Sequence, residues 1–153
     1  MNINQLLSPD TTLVCTQVSS KKKVLEKVSE LIEQVSSSSR KHIFESLCGR
    51  EKLGSTALGD GVAIPHGRVA QCEQVKAVFM LLEKPIDYDA PDGKAVDIIF
   101  ALVVPEQAHK EHLGHLAQIA QILSDQKTLS QIRHAHSSQA LFEILEESAS
   151  KLA

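Results

Sequence analysis

The sequence predicts an α/β fold: a three-layer α/β/α domain with a central mixed sheet of about five strands and helices on both faces. Three observations predict it. Residues 12–18, 75–83 and 96–104 are strand-length runs of β-branched and apolar residues. The segments between and after them carry apolar residues at helical offsets. The resulting order, one strand, two helices, three strands and three helices, places two helices between the first strands, which allows mixed pairing.

Each element has its own local signal. Ser19 and Ser20 offer N-cap hydroxyls to a helix whose apolar stripe is Val24, Leu25, Val28, Leu31, Ile32 and Val35. The serine run 36–39 ends that helix and caps a second, whose apolar face is Ile43, Phe44, Leu47 and Cys48. Val62-Ala63-Ile64 is a short strand stopped by Pro65. Pro85, Pro91 and Asp92-Gly93 mark the connection between the two long strands. Helices follow over 110–123, 127–134 and 138–152. The 153 residues read as one domain, 1–153, long enough to bury a core without disulfide or metal.

Composition removes several function classes. No apolar run approaches the roughly 20 residues that span a bilayer, so membrane insertion is not expected. The start of the chain lacks a basic region and a long apolar core, which points to the cytoplasm rather than secretion. Net charge is −3 and aromatics are 3% with no Trp, which speaks against nucleic acid as a partner. The triplet Lys21-Lys22-Lys23 reads as a solvated helix face. Cys15, Cys48 and Cys72, with no CxxC, read as small buried or half-buried hydrophobes.

The chemistry concentrates in residues 50–68, which hold four of the seven glycines. His66 follows Pro65 and precedes Gly67, which places an imidazole on a loop at the rim of a sheet, within a partner's reach. A neutral imidazole keeps one ring-nitrogen lone pair and can act as a nucleophile or a base. Arg50 can fork onto phosphate oxygens, Ser55 and Thr56 bring hydroxyls, and Gly61 and Gly67 allow backbone N–H groups to converge on an anion. A histidine in a Pro/Gly loop is equally compatible with a plain surface position, and these residues alone leave both readings open.

The stretch REKLGSTALGDGVAIPHG, residues 50–67, resembles the signature of the enzyme IIA domains of the fructose–mannitol class of the bacterial phosphotransferase system, and most of all the free-standing nitrogen-related IIA proteins. The resemblance runs from the first strand to the last helix. It implies that His66 is phosphorylated on Nε2 as a tele-phosphohistidine and that Arg50 supports the phosphate. In the helix segment KEHLGHLAQIA it assigns a second active-site histidine to His112, with His109 and His115 three residues to either side. It implies a phosphotransferase component, chiefly regulatory, that accepts its phosphoryl group from a phosphorylated HPr-like carrier of the nitrogen branch. No cofactor is called for, because the donor's P–N bond is already weak. Targets would be kinases or potassium transport proteins; the alternative is a sugar-transport component passing phosphate to a IIB domain. Docking would bury a rim including Leu58, Val62 and Ile64.

Two other readings stay open on the residues. The spacing of His109, His112 and His115 suits a metal on one helix face. His66, His112 and Asp60 could form a hydrolase, if a carboxylate is held against one histidine. His42, His134 and His136 read as solvated, and Arg68 as either steering an acidic group or facing solvent.

Overall fold

The structure, a computed structural model, describes residues 2–107 and 110–152, and for 110–113 the backbone alone. Six strands form one mixed sheet among the described residues. They are β1 (Thr12–Thr16), β2 (Ala57–Gly59), β3 (Val62–Ala63), β4 (His66–Val69), β5 (Lys76–Ile86) and β6 (Val96–Pro105). A short helix α1 (Ile3–Leu6) precedes them. Helices α2 (Lys21–Val35) and α3 (Arg40–Lys52) lie between β1 and β2, and α4 (Lys110–Ile122), α5 (Gln126–Arg133) and α6 (Ser138–Ser150) close the chain. The order across the sheet is β1-β5-β6-β3-β2, with β4 also paired to β6. The β5–β6 pair is antiparallel, whereas β1 with β5, and β3 and β4 with β6, are parallel.

The two long central strands are buried on both faces, which explains their unbroken apolar runs. Ala77, Phe79 and Leu81 of β5 pack with α1, α4, α5 and α6; Val78, Met80 and Leu82 point the other way, toward α2 and α3. Phe79 and Phe100 meet edge to face across the ladder, their ring centres 5.7 Å apart. The three-layer α/β/α arrangement expected from the sequence is therefore present. The caps follow the serines and Asp125. Ser20 Oγ accepts the Lys23 N–H at 3.2 Å, and Ser39 Oγ accepts the His42 N–H at 3.3 Å. No helix of the described residues is long and apolar enough to cross a membrane.

Three local expectations are corrected. Pro65 ends β3 as expected, but pairing along β6 does not stop there. The proline has no N–H for the ladder, yet its carbonyl accepts the Leu102 N–H at 2.9 Å, and pairing with β6 resumes at His66. His66 is thus the first residue of a strand rather than a loop residue. Cys15 is exposed instead of buried: β1 shifts register between Leu13 and Thr16, and Cys15 adopts φ 51° there. Cys48 is half-buried and Cys72 buried, and burial raises both thiols. Lys21, unlike exposed Lys22 and Lys23, is drawn into an ion pair with Glu51 at 2.9 Å.

Candidate functional site

β4 carries the site because it is an edge strand with helices above and below. Side chains alternate along it. Gly67 and Val69 face α3, and His66 faces the layer that contains α4. The partners of this edge come from far away in sequence: Arg50 from the last turn of α3, Leu116 from α4. Two clefts meet at the His66 ring. One, about 270 Å³, is lined by Ser46, Arg50, Leu53, Arg68 and Leu116 with His66. The other, about 370 Å³, is lined by Arg50, Thr56, Leu58, Ile64 and Leu116 with His66. His66 and Arg50 border both, so the structure brings these two sequence-predicted residues together.

The imidazole is half-buried, and among the described residues its ring has one hydrogen bond. Its Nδ1 lies 2.8 Å from the Ile64 carbonyl oxygen. A carbonyl can only accept, so Nδ1 carries the proton. In the neutral ring the free lone pair is then on Nε2. The backbone bend at Ile64-Pro65 sets this tautomer, since it turns a carbonyl back onto the ring two residues later. A carbonyl dipole beside Nδ1–H also favours the ring as it becomes more positive, which happens when Nε2 acquires an electrophile.

Arg50 is held lightly. Its one hydrogen bond among the described residues goes from a terminal guanidinium nitrogen to the Gly54 carbonyl at 2.9 Å. A guanidinium has five N–H donors, so most remain for a ligand in the clefts. Arg68 lines the first cleft and is exposed, so it adds positive potential at the mouth.

Other expected contributors have different work. The Ser55 hydroxyl donates to the Tyr88 carbonyl at 2.8 Å, and the Thr56 hydroxyl bonds the Glu51 carboxylate. Each hydroxyl has one proton, so neither is offered to an anion. Gly61 is remote from the ring. It lies in a separate cleft with Asp60, Lys94 and Arg133, its φ is +82°, and a Cβ there would come 2.9 Å from Asp97 Oδ1. Gly67 does line the His66 cleft, but its open side is filled by Ser46, whose backbone carbon would lie 3.2 Å from a Cβ. It lets α3 pack close rather than leaving room at the ring. Val62 and Ile64 are buried; among the described residues the exposed large apolar side chains are Leu53 (84%) and Leu58 (50%), one in each cleft.

Asp60 sits at the β2–β3 turn with φ 56°, in the Arg133 cleft and not against His66, which removes the carboxylate a hydrolase would need. The side chain of His112, and with it the second active-site histidine, lies outside the described residues. So does His109, and with them two members of the suggested metal set. His42, His134 and His136 are exposed, as expected. A residue missed by the sequence reading is Glu51. It continues the inward stripe of Ile43 and Leu47 at four-residue spacing, and a carboxylate on that stripe has to be paired.

Comparison with known proteins places the chain in a family. Residues 5–148 match the family described as "Phosphoenolpyruvate-dependent sugar phosphotransferase system, EIIA 2". A nitrogen regulatory protein of Pseudomonas aeruginosa is 40% identical over 146 residues, covering 95% of each chain. Its counterpart in Bradyrhizobium diazoefficiens is 39% identical over 145 residues, again with 95% of each chain covered. The crystal structure of the nitrogen regulatory protein IIA-Ntr from Neisseria meningitidis superposes with a TM-score of 0.90 at 41% identity, covering 94% of this chain and 98% of that one. At the edge of its sheet the chain holds a half-buried imidazole that shares two clefts with the Arg50 guanidinium, and by the match over residues 5–148 it belongs to the EIIA 2 family of the phosphotransferase system.

Proposed function

We propose that this protein is a cytoplasmic phosphohistidine carrier of the nitrogen-related branch of the phosphotransferase system. In this reading His66 Nε2 attacks the phosphorus of a phosphohistidine on an HPr-like donor. The new N–P bond forms as the donor's N–P bond breaks, and that bond's electron pair returns to the donor ring. No other reactant is needed. Arg50 neutralises the equatorial oxygens in passing, and the Ile64 carbonyl holds the Nδ1 proton throughout. Leu53 and Leu58, exposed on either side of the ring, give the donor an apolar rim to cover. His112 is assigned as a second histidine that orients the phosphoryl group.

The observation that carries this reading is the Nδ1 to Ile64 bond, because it leaves the ring nitrogen farther from the backbone as the nucleophile. The likeness at about 40% identity to nitrogen regulatory proteins supports a regulatory role over sugar transport. Phosphorylation adds about −1.5 to −2 charge at this face, enough to change which partner binds there, kinases and potassium transport proteins being the expected targets.

The test is reconstitution with phosphoenolpyruvate, enzyme I and the HPr-like carrier. Wild type should gain acid-labile, base-stable phosphate and His66→Ala none. Histidine-bound label persisting in His66→Ala overturns the assignment, and rapid onward transfer to a IIB protein would replace the regulatory role by the transport one.

A further inference from the structure

Glu51 is adjacent to Arg50 on α3 but turns inward, its side chain 5% exposed. Four donors converge on its carboxylate. They are the Lys21 ammonium at 2.9 Å, the Thr56 N–H at 3.3 Å, the Thr56 hydroxyl, and the Tyr88 hydroxyl at 3.1 Å. The set is cross-braced. Lys21 Nζ lies 4.7 Å from the centre of the Tyr88 ring, and Ser55 Oγ donates to the Tyr88 carbonyl at 2.8 Å. Tyr88 is fully buried, and burial, with the Glu51 charge behind it, pushes its phenol far above the ordinary range, so it stays a proton donor.

These bonds fix Thr56 to the end of α3. Only Leu53, Gly54 and Ser55 lie between α3 and Thr56, and Ser55 is itself anchored. The Gly54 carbonyl, the acceptor of the Arg50 guanidinium, is therefore held by a span pinned at both ends. We propose that Glu51 is a positioning residue for phosphoryl transfer: through Thr56 and the Gly54 carbonyl it sets where the Arg50 guanidinium stands in the clefts. This rests on the reading of His66 as phosphoacceptor. An ionised carboxylate suits the role because it only accepts. The amide of a glutamine would turn two of its own donors into a pocket that already holds four.

Two measurements on Glu51→Gln test it. The first needs no phosphate: in the nitrogen-resolved NMR spectrum, the Arg50 terminal guanidinium protons should change from distinct signals to an exchange-averaged one. The second is the initial rate of phosphoryl acceptance from the phosphorylated carrier. It should fall about tenfold in the wild-type background, and less than about twofold in an Arg50→Ala background, because an effect that acts through Arg50 has nothing left to act on. Equal losses in both backgrounds, or unchanged Arg50 signals, overturn the proposal. Should Glu51→Gln fail to fold, Tyr88→Phe removes one of the four donors with the charge kept; it should give a smaller shift of the same Arg50 signals, and no shift contradicts the proposal. If wild type accepts no phosphate, the carrier reading fails while the Arg50 spectrum still decides the role of Glu51.

Discussion

The edge of the sheet holds two arginines at its two ends, and they are used in opposite ways. Arg133, near the start of β6, is committed through two of its three nitrogens. Its Nε donates to both Asp97 carboxylate oxygens, and a terminal nitrogen donates to Asp97 Oδ1 at 2.9 Å and to the Asp60 carbonyl at 2.6 Å. Gly61 makes room for it, since a Cβ there would strike the guanidinium. Arg50, beside the register pair His66–Leu102 further along β6, spends one hydrogen bond on Gly54 and faces open clefts with the rest. A guanidinium tied by an ion pair to one carboxylate and by a hydrogen bond to a carbonyl is a staple between α5 and the β2–β3 turn. One with most donors unspent beside an imidazole is suited to receive an anion, which is the role proposed for Arg50. The contrast teaches that residue type and a nearby glycine do not separate a candidate site from scaffold, whereas an ion pair to a carboxylate, present at Arg133 and absent at Arg50 among the described residues, does.

Breaking each arginine should therefore do different damage. Arg50→Ala should lower the rate of phosphoryl acceptance by about 10²-fold, the usual consequence of removing one charge-stabilising donor, with little change in thermal stability. Arg133→Ala should do the reverse. It leaves Asp97 half-buried without its cation, which should cost about 2 kcal/mol in denaturant unfolding while the acceptance rate stays within about twofold. If both variants lose rate equally, the division between staple and receptor is wrong. The smallest effect belongs to the rim: Leu58→Ser, on a side chain already half exposed, should raise the donor concentration needed for half-maximal rate by roughly threefold and leave the maximal rate unchanged.

How far the sequence reveals this molecule depends on whether the deciding contact is local. The helices and the long strands are legible because their caps and apolar periods are written in adjacent residues, as with Ser20 at α2 and Ser39 at α3. The return of the edge strand after Pro65 is not, because it depends on Leu102 supplying an N–H from thirty-seven positions away. The pair His66 and Arg50 is reachable through a long motif. Ser55 and Thr56 look like anion ligands until Tyr88 and Glu51 are seen to occupy them. Gly61 and Gly67 look like loop glycines, yet Arg133 and Ser46 are what they accommodate. Glu51 could have been found from its place on the Ile43–Leu47 stripe; its four donors could not, since three of the residues concerned come from other segments of the chain.

The central claim concerns one atom, and NMR of the histidine ring nitrogens before and after phosphorylation by the carrier system tests it most directly. The account predicts that unphosphorylated His66 is the Nδ1–H tautomer and that phosphorus then couples to its Nε2 with the Nδ1 proton retained. Phosphorus coupled to Nδ1 of His66, or to another histidine while His66 stays unmodified, would contradict it.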